Sequence, residues 1–211
     1  MAATILDPDL EERLIAERKA TGLDRYDEVW DGVYIMSPWP KDQHQKIAGF
    51  LNAIFEILIG LTGHGETRQG INLSDRPEDW IKNFRVPDVV VFLKDGAGIC
   101  HESFWTGGPD FAVEVISEGE DPEAKFEFYG GLNTRELLLV DRDPWRLQLY
   151  FPQSQTMQLA QSSEIGGPSI RSAVLGLMFR LQDLNADELE FIVEHPDGRS
   201  WKRTFAKEQD A

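Results

Sequence analysis

Two short runs constrain this chain more than anything else in it: Val86-Pro87-Asp88-Val89-Val90-Val91-Phe92 and Phe111-Ala112-Val113-Glu114-Val115-Ile116-Ser117. Both are rich in β-branched and aromatic residues, so each reads as a buried strand. Each also carries one carboxylate. A carboxylate in apolar surroundings is costly unless it is paired, hydrogen-bonded or coordinated to a metal. Alternation along the second run places Phe111, Val113 and Val115 on one face and Ala112, Glu114 and Ile116 on the other. Glu114 therefore shares its face with small and apolar neighbours. Any fold of this chain must bring both strands into a core and still give both acids a partner. Downstream of Glu114 stands Lys125, in a segment that reads as a helix.

The remaining elements are mixed. Asp7-Pro8 suits the start of a helix running to Lys19, with Asp as cap and Pro in the first turn. Leu10, Leu14 and Ile15 would face inward, and Thr21-Gly22 would end it. Glu28 to Met36 reads as a hairpin turning at Asp31-Gly32. Lys41 to Ile59 carries Ile47, Phe50, Leu51, Ile54, Phe55 and Leu58 at helical spacing. A strand is predicted over 65–73, a polar loop over 74–79, a short helix over 122–129 and a buried strand over 134–141. Arg146–Phe151 and Gln155–Leu159 alternate as outer antiparallel strands joined at Pro152-Gln153-Ser154. One or two more strands fall in 169–181, and 187–194 reads as a short helix or strand.

This order predicts an α/β (α+β) fold, with a mixed central β-sheet flanked by helices and additional antiparallel strands. The strands around Val89, Val113 and Leu138 are apolar on both faces, as central strands should be. The expected division is an N-terminal helix over 1–24, a main domain over 25–184, and a charged, peripheral extension over 185–211.

Composition narrows the function. Cys100 is the one cysteine, so an internal disulfide is impossible and a reducing compartment fits. The N-terminus lacks the pattern of a signal peptide, and no apolar stretch is long enough to span a membrane. A cytoplasmic protein is expected. Lys and Arg number 21 against 37 Asp and Glu, a net charge of −16. Such a field repels nucleic acid at long range, and a dedicated non-specific binder would more often be basic. Salt screens the repulsion over about 8 Å, so a bound metal and a locally basic groove could still hold phosphate. His44, His64, His101 and His195 share no metal-ligand spacing. Cys100-His101 are adjacent on a loop and poorly placed to form a dyad. Nucleophile-elbow, phosphate-loop and dinucleotide fingerprints are missing.

The two acids and the lysine remain, each with a plainer alternative. Asp88 could hydrogen-bond a turn after Pro87. Glu114 could form a buried salt bridge to Arg135 or Arg85, although such pairs seldom stabilise strongly. Lys125 could lay its stem over the core beside Phe128 and Tyr129. Together the three fit a metal-dependent phosphodiester hydrolase. Mg²⁺ or Mn²⁺ takes oxygen ligands, one or two carboxylates plus water and substrate phosphate. Asp88 and Glu114 would hold the ion and Lys125 would orient the nucleophile or steady charge on phosphate.

At these residues the chain resembles a widespread bacterial family of restriction-endonuclease-type proteins with the PD-(D/E)XK nuclease fold. The similarity runs from about Tyr26 to Leu181. It lies in DEVWDGVYIMSP (27–38), HQKIAGFL (44–51), VPDVVVF (86–92), GPDFAVEVIS (108–117), EAKFEFY (123–129), RELLLVD (135–141) and RLQLY (146–150). The resemblance implies a restriction-endonuclease-like core and a nuclease-type metal site, with Asp88 and Glu114 as ligands. In the broader fold the lysine follows the second acid by two residues, where this chain has Ile116; in this family it is displaced to Lys125. An upstream acid often completes such sites, and Glu28 matches it. Nucleic acid, DNA above all, is the implied substrate, and a homodimer is among the expected states.

The chain departs from the family at Val33, where an acid often follows the Asp-Gly turn. It departs again after Ser117, where Glu118-Gly119-Glu120-Asp121 replace proline and basic residues. Between Glu114 and Glu127 six acids face one lysine, a rim poorly suited to a phosphate backbone. Two further readings therefore stand beside the nuclease: a catalytically inactive nuclease-fold binding or regulatory module, and a metal-dependent hydrolase of a small phosphate ester.

Overall fold

A computed structural model describes residues 8–117 and 119–207. Asp7, expected to cap the first helix, and Glu118 of the acid-rich loop lie outside the described residues. The architecture is mixed α+β. A central six-stranded sheet runs in the order Thr156–Glu164, Trp145–Gln153, Glu136–Arg142, Phe111–Val115, Val89–Leu93, Gly65–Arg68. Neighbours are antiparallel except for Phe111–Val115 beside Glu136–Arg142, which are parallel.

The two acid-bearing runs lie in the interior of this sheet, and their alternation sorts the core into two layers. On one face Val89, Val91, Phe111, Val113, Val115, Leu138 and Val140 pack against helix α2 (Asp42–Phe55) through Ile47, Leu51, Ile54 and Phe55. On the other, Val90, Phe92, Ala112, Leu137 and Leu139 meet Phe126, Phe128 and Tyr129, carried by helix α3 (Phe126–Gly131). Leu73 and Trp105 join them from a second sheet of short strands. That sheet begins with the hairpin Glu28–Trp30 and Val33–Ile35, whose turn residues Asp31 and Gly32 both have positive φ. This is the two-residue turn that an Asp-Gly pair favours. The predicted helix to Ile59 holds through Phe55 and then widens into a π-helical turn, Glu56–Gly60.

The segment beyond Asn185, expected to be peripheral, instead enters the core. Glu188–Glu194 and Ser200–Ala206 extend an antiparallel sheet with Ile170–Arg171 and Met178–Asp183. Leu189, Phe191, Val193 and Phe205 are buried in the same layer as α2. Glu188, Glu190 and Glu194 alternate with these side chains and keep part of their surface in solvent, while Ile192 between them is also buried.

Helix α1 (Pro8–Thr21) differs from its predicted packing as well. Leu10 is exposed, and Leu14 and Ile15 are half-buried. A polar fork fixes it instead. Arg18 donates to both carboxylate oxygens of buried Asp27 at 2.5 and 2.6 Å, and to the carbonyls of Leu23 and Ser37. Asp27 also accepts from the Tyr34 hydroxyl and the Ser37 N–H. This knot ties Ser37 to the hairpin and to α1. Among the described residues no helix is long and apolar enough to cross a membrane.

Candidate active site

The sheet ladder brings the two predicted acids together. Val89 stands opposite Val113, Val90 opposite Ala112 and Val91 opposite Phe111. One further step in the same register sets Asp88 opposite Glu114. Directly opposed residues of an antiparallel pair project to the same face within about 5 Å at Cβ. Asp88 Oδ2 then accepts the Val115 N–H at 2.7 Å, and its Oδ1 lies 2.7 Å from His44 Nε2. His44 Nδ1 is 3.3 Å from the Ser117 hydroxyl. Asp88 is therefore gripped from both sides, by strand and by helix.

Glu114 has different partners from either arginine considered for it. Arg85 donates to the Val29 and Phe84 carbonyls and to Asn83, and Arg135 pairs with Asp110. Glu114 instead accepts from the Tyr129 hydroxyl at 2.5 Å and from Lys125 Nζ at 3.3 Å. Lys125 closes a 3₁₀ turn, Pro122–Lys125, whose start is capped by the Asp121 side chain accepting the Glu123 N–H. Tyr129 follows four residues later, one helical turn on, so both reach the same acid. Lys125 is buried and also lies 3.2 Å from Glu28 and 3.5 Å from Glu120. Glu28 is held in turn: Oε1 accepts the Val86 N–H at 2.9 Å and Oε2 the Trp30 indole N–H at 2.7 Å.

Glu28, Asp88, Glu114 and Glu120 thus crowd around one lysine in one cleft. Burial, only partly offset by Lys125, pushes the Glu114 carboxyl up to about 8, and Asp88, Glu28 and Glu120 add to the rise. Burial alone would lower the Lys125 ammonium, but Glu114, Glu28, Glu120 and Asp88 outweigh it and hold that group protonated, well above its ordinary value. Tyr129, buried beside Glu114, likewise keeps its proton.

The donor set suits a hard divalent cation, because carboxylate oxygens in negative excess are what such an ion replaces water with. Among the described residues no three His, Cys, Asp or Glu side chains form a ready-made cage. A two-carboxylate site completed by water and phosphate is the arrangement these residues fit.

The family model for Uma2, described as a putative restriction endonuclease, matches residues 13–182. The chain belongs to this family. A crystal structure of a putative nuclease from Anabaena variabilis has a similar fold, with a TM-score of 0.57 at 15% identity, covering 71% of this chain and 83% of that one. No curated protein matches. Every residue of the cluster lies within the span matched to Uma2, whereas the last two strands lie beyond it.

Three members of the cluster in this Uma2 chain are not picked out by motif reading: His44, Tyr129 and Glu120. His44 carried a usable signal. It stands at i, i+3, i+4 and i+7 with Ile47, Ala48 and Leu51, on the buried face of α2, where an imidazole needs a partner. Tyr129 stands four residues after Lys125. Glu120 gave no signal beyond the acidity of its loop.

Proposed function

We propose that this protein is a divalent-metal-dependent phosphodiesterase of the PD-(D/E)XK type that acts on nucleic acid. Asp88 and Glu114 would hold Mg²⁺ or Mn²⁺, and Lys125 would be the catalytic cation. One observation carries the reading: Asp88, at the start of the strand Val89–Leu93, and Glu114, one step past the Val89–Val113 pair on the neighbouring strand, share a cleft whose buried negative charge Lys125 alone does not balance. Membership of the Uma2 family supports nuclease chemistry and a nucleic-acid substrate.

When bound, the cation supplies charge stabilisation on the phosphoryl group and an acidified water. The side chains of the chain do the rest. Lys125, held protonated, cannot accept a proton; it donates to the attacking water or to a phosphoryl oxygen, where charge develops. Glu28 holds Lys125 and is itself anchored by Val86 and Trp30, so the position of the ammonium is restricted before substrate arrives, and a bond to substrate would replace one of its carboxylate contacts. His44 and the Val115 N–H set the plane of the Asp88 carboxylate in the same way.

The test is cleavage of single- and double-stranded DNA and RNA in Mg²⁺ or Mn²⁺ by the wild type, Asp88→Asn and Glu114→Gln. Metal-dependent cleavage that falls at least about 100-fold in both variants is expected. Cleavage that persists in both, or an inactive wild type across all four substrates, would refute the assignment.

A further inference from the structure

The cleft also has an apolar lining to which the chemistry above assigns no contact with substrate. Its volume is about 610 Å³. Beside the carboxylates and Lys125 the cleft is lined by Trp30, Ile35, Met36, Pro38, Pro40 and Val86, with Trp30 and Val86 joined to the acid cluster through Glu28. Trp30 is rigidly held. Its indole N–H is committed to Glu28, and the Arg85 guanidinium lies 4.5 Å over its ring while also covering Phe128 at 4.4 Å. An aromatic ring so fixed loses little conformational freedom when a flat ligand packs against it.

The charge of the lining sharpens the reading. Among the described lining residues the Lys and Arg side chains are Lys125 and Arg18. Both are already engaged with carboxylates, Lys125 with Glu28, Glu114 and Glu120 and Arg18 with Asp27. A duplex is gripped through an array of lysine and arginine contacts to successive phosphates, and this cleft offers no such array. A nucleobase brings a π-face and no charge, and stacking on aromatic side chains is how sequence-tolerant single-strand sites work. A cavity of this size also falls in the range of small-ligand pockets, roughly 300–1,000 Å³.

We propose that the cleft takes one unpaired nucleotide, with its base against the Trp30 wall and its phosphate toward Asp88 and Glu114. The substrate would then be single-stranded, frayed or extrahelical nucleic acid, not continuous duplex. The phosphate half of this placement rests on the phosphodiesterase reading; the base wall does not.

The experiment is fluorescence anisotropy with a labelled short single-stranded DNA and its blunt duplex, in Ca²⁺ and in EDTA. Wild type, Trp30→Ala, Trp30→Phe and Met36→Asp would be compared, with urea midpoints establishing that each is folded. Single strand should bind about 10-fold tighter than duplex. Trp30→Ala and Met36→Asp should each weaken single-strand binding about 10-fold, and Trp30→Phe should keep most of it. Equal or tighter duplex binding, no binding of either probe, or single-strand binding untouched by both Trp30→Ala and Met36→Asp would overturn the proposal. Cleavage in Mn²⁺, measured separately, distinguishes the two claims. Wall-dependent binding without cleavage removes the phosphodiesterase and keeps the base site. Cleavage of duplex with no preference for single strands does the reverse.

Discussion

Replacing Glu114 by Gln should stabilise the metal-free protein at alkaline pH while abolishing its response to Mn²⁺. In the folded state the Glu114 carboxyl keeps its proton up to about 8, whereas in the unfolded chain it ionises near 4.5. Between those values the native state binds more protons than the unfolded state, so stability falls as pH rises and the full cost is reached above about pH 8. At about 1.4 kcal/mol per tenfold change in proton affinity, carrying that charge costs up to about 5 kcal/mol. Lys125 is already included in that shift, but relaxation and water entry around a buried charge reduce its cost, leaving about 1–3 kcal/mol as the expected gain of the variant at pH 9. Gln keeps an acceptor for the Tyr129 hydroxyl, so the packing survives. For a domain of this size the gain corresponds to a Tm rise of about 3–10 °C at pH 9, with little difference between the two proteins at pH 5. Thermal and urea unfolding at pH 5, 7 and 9 read the effect directly. Mn²⁺ should raise the Tm of the wild type at pH 8 and leave the variant unchanged. A wild-type-minus-variant difference that stays flat with pH, or equal stabilisation of both by Mn²⁺, would refute the claim that Glu114 is an overcharged metal ligand.

Three other outcomes follow from the packing. Lys125→Met removes the one cation among Glu28, Glu114 and Glu120 and should cost about 3 kcal/mol at pH 8, and less at pH 5 where Glu114 is protonated; urea midpoints measure both. Arg18→Ala should leave buried Asp27 without its charged partner, costing about 1–3 kcal/mol, and should make residues 8–21 the earliest site of limited proteolysis, read by mass spectrometry. Gly130→Ala would place a Cβ 2.4 Å from the Thr156 backbone; the strand cannot yield as a side-chain tip can, so a loss of about 2 kcal/mol or more is expected by denaturant titration.

Much of the fold was legible because burial periodicity was strong where it mattered. The runs around Val89, Val113 and Leu138 are central strands, and α2 announces itself by spacing alone. Sequence reading failed where packing is one-sided or polar. Ser200–Ala206 buries Phe205 and half-buries Trp201, too sparse a signal beside Lys202 and Arg203, and its place is set by pairing with Glu188–Glu194. The outer hairpin turns at Ser154-Gln155, both at positive φ, and not across Pro152-Gln153-Ser154. Without glycine or asparagine there, local chemistry did not mark the turn, and the register between the strands decided it. The site was half legible. Asp88, Glu114 and Lys125 could be found as costly residues in apolar runs, but their mutual contacts depend on strand register. The grip of His44 on Asp88 depends on how α2 crosses the sheet end, which no spacing encodes.

The ladder that brings Asp88 and Glu114 near one another, Val89–Val91 against Phe111–Val113, runs through backbone groups and would persist if either acid were neutral. Glu114 lies a single base change from glutamine, which would relieve much of the crowding at once and leave the strands paired. A chain drifting under selection for thermal robustness alone would meet that exit early. Carrying both acids therefore costs this chain stability, the cost that the proposed metal site would bring.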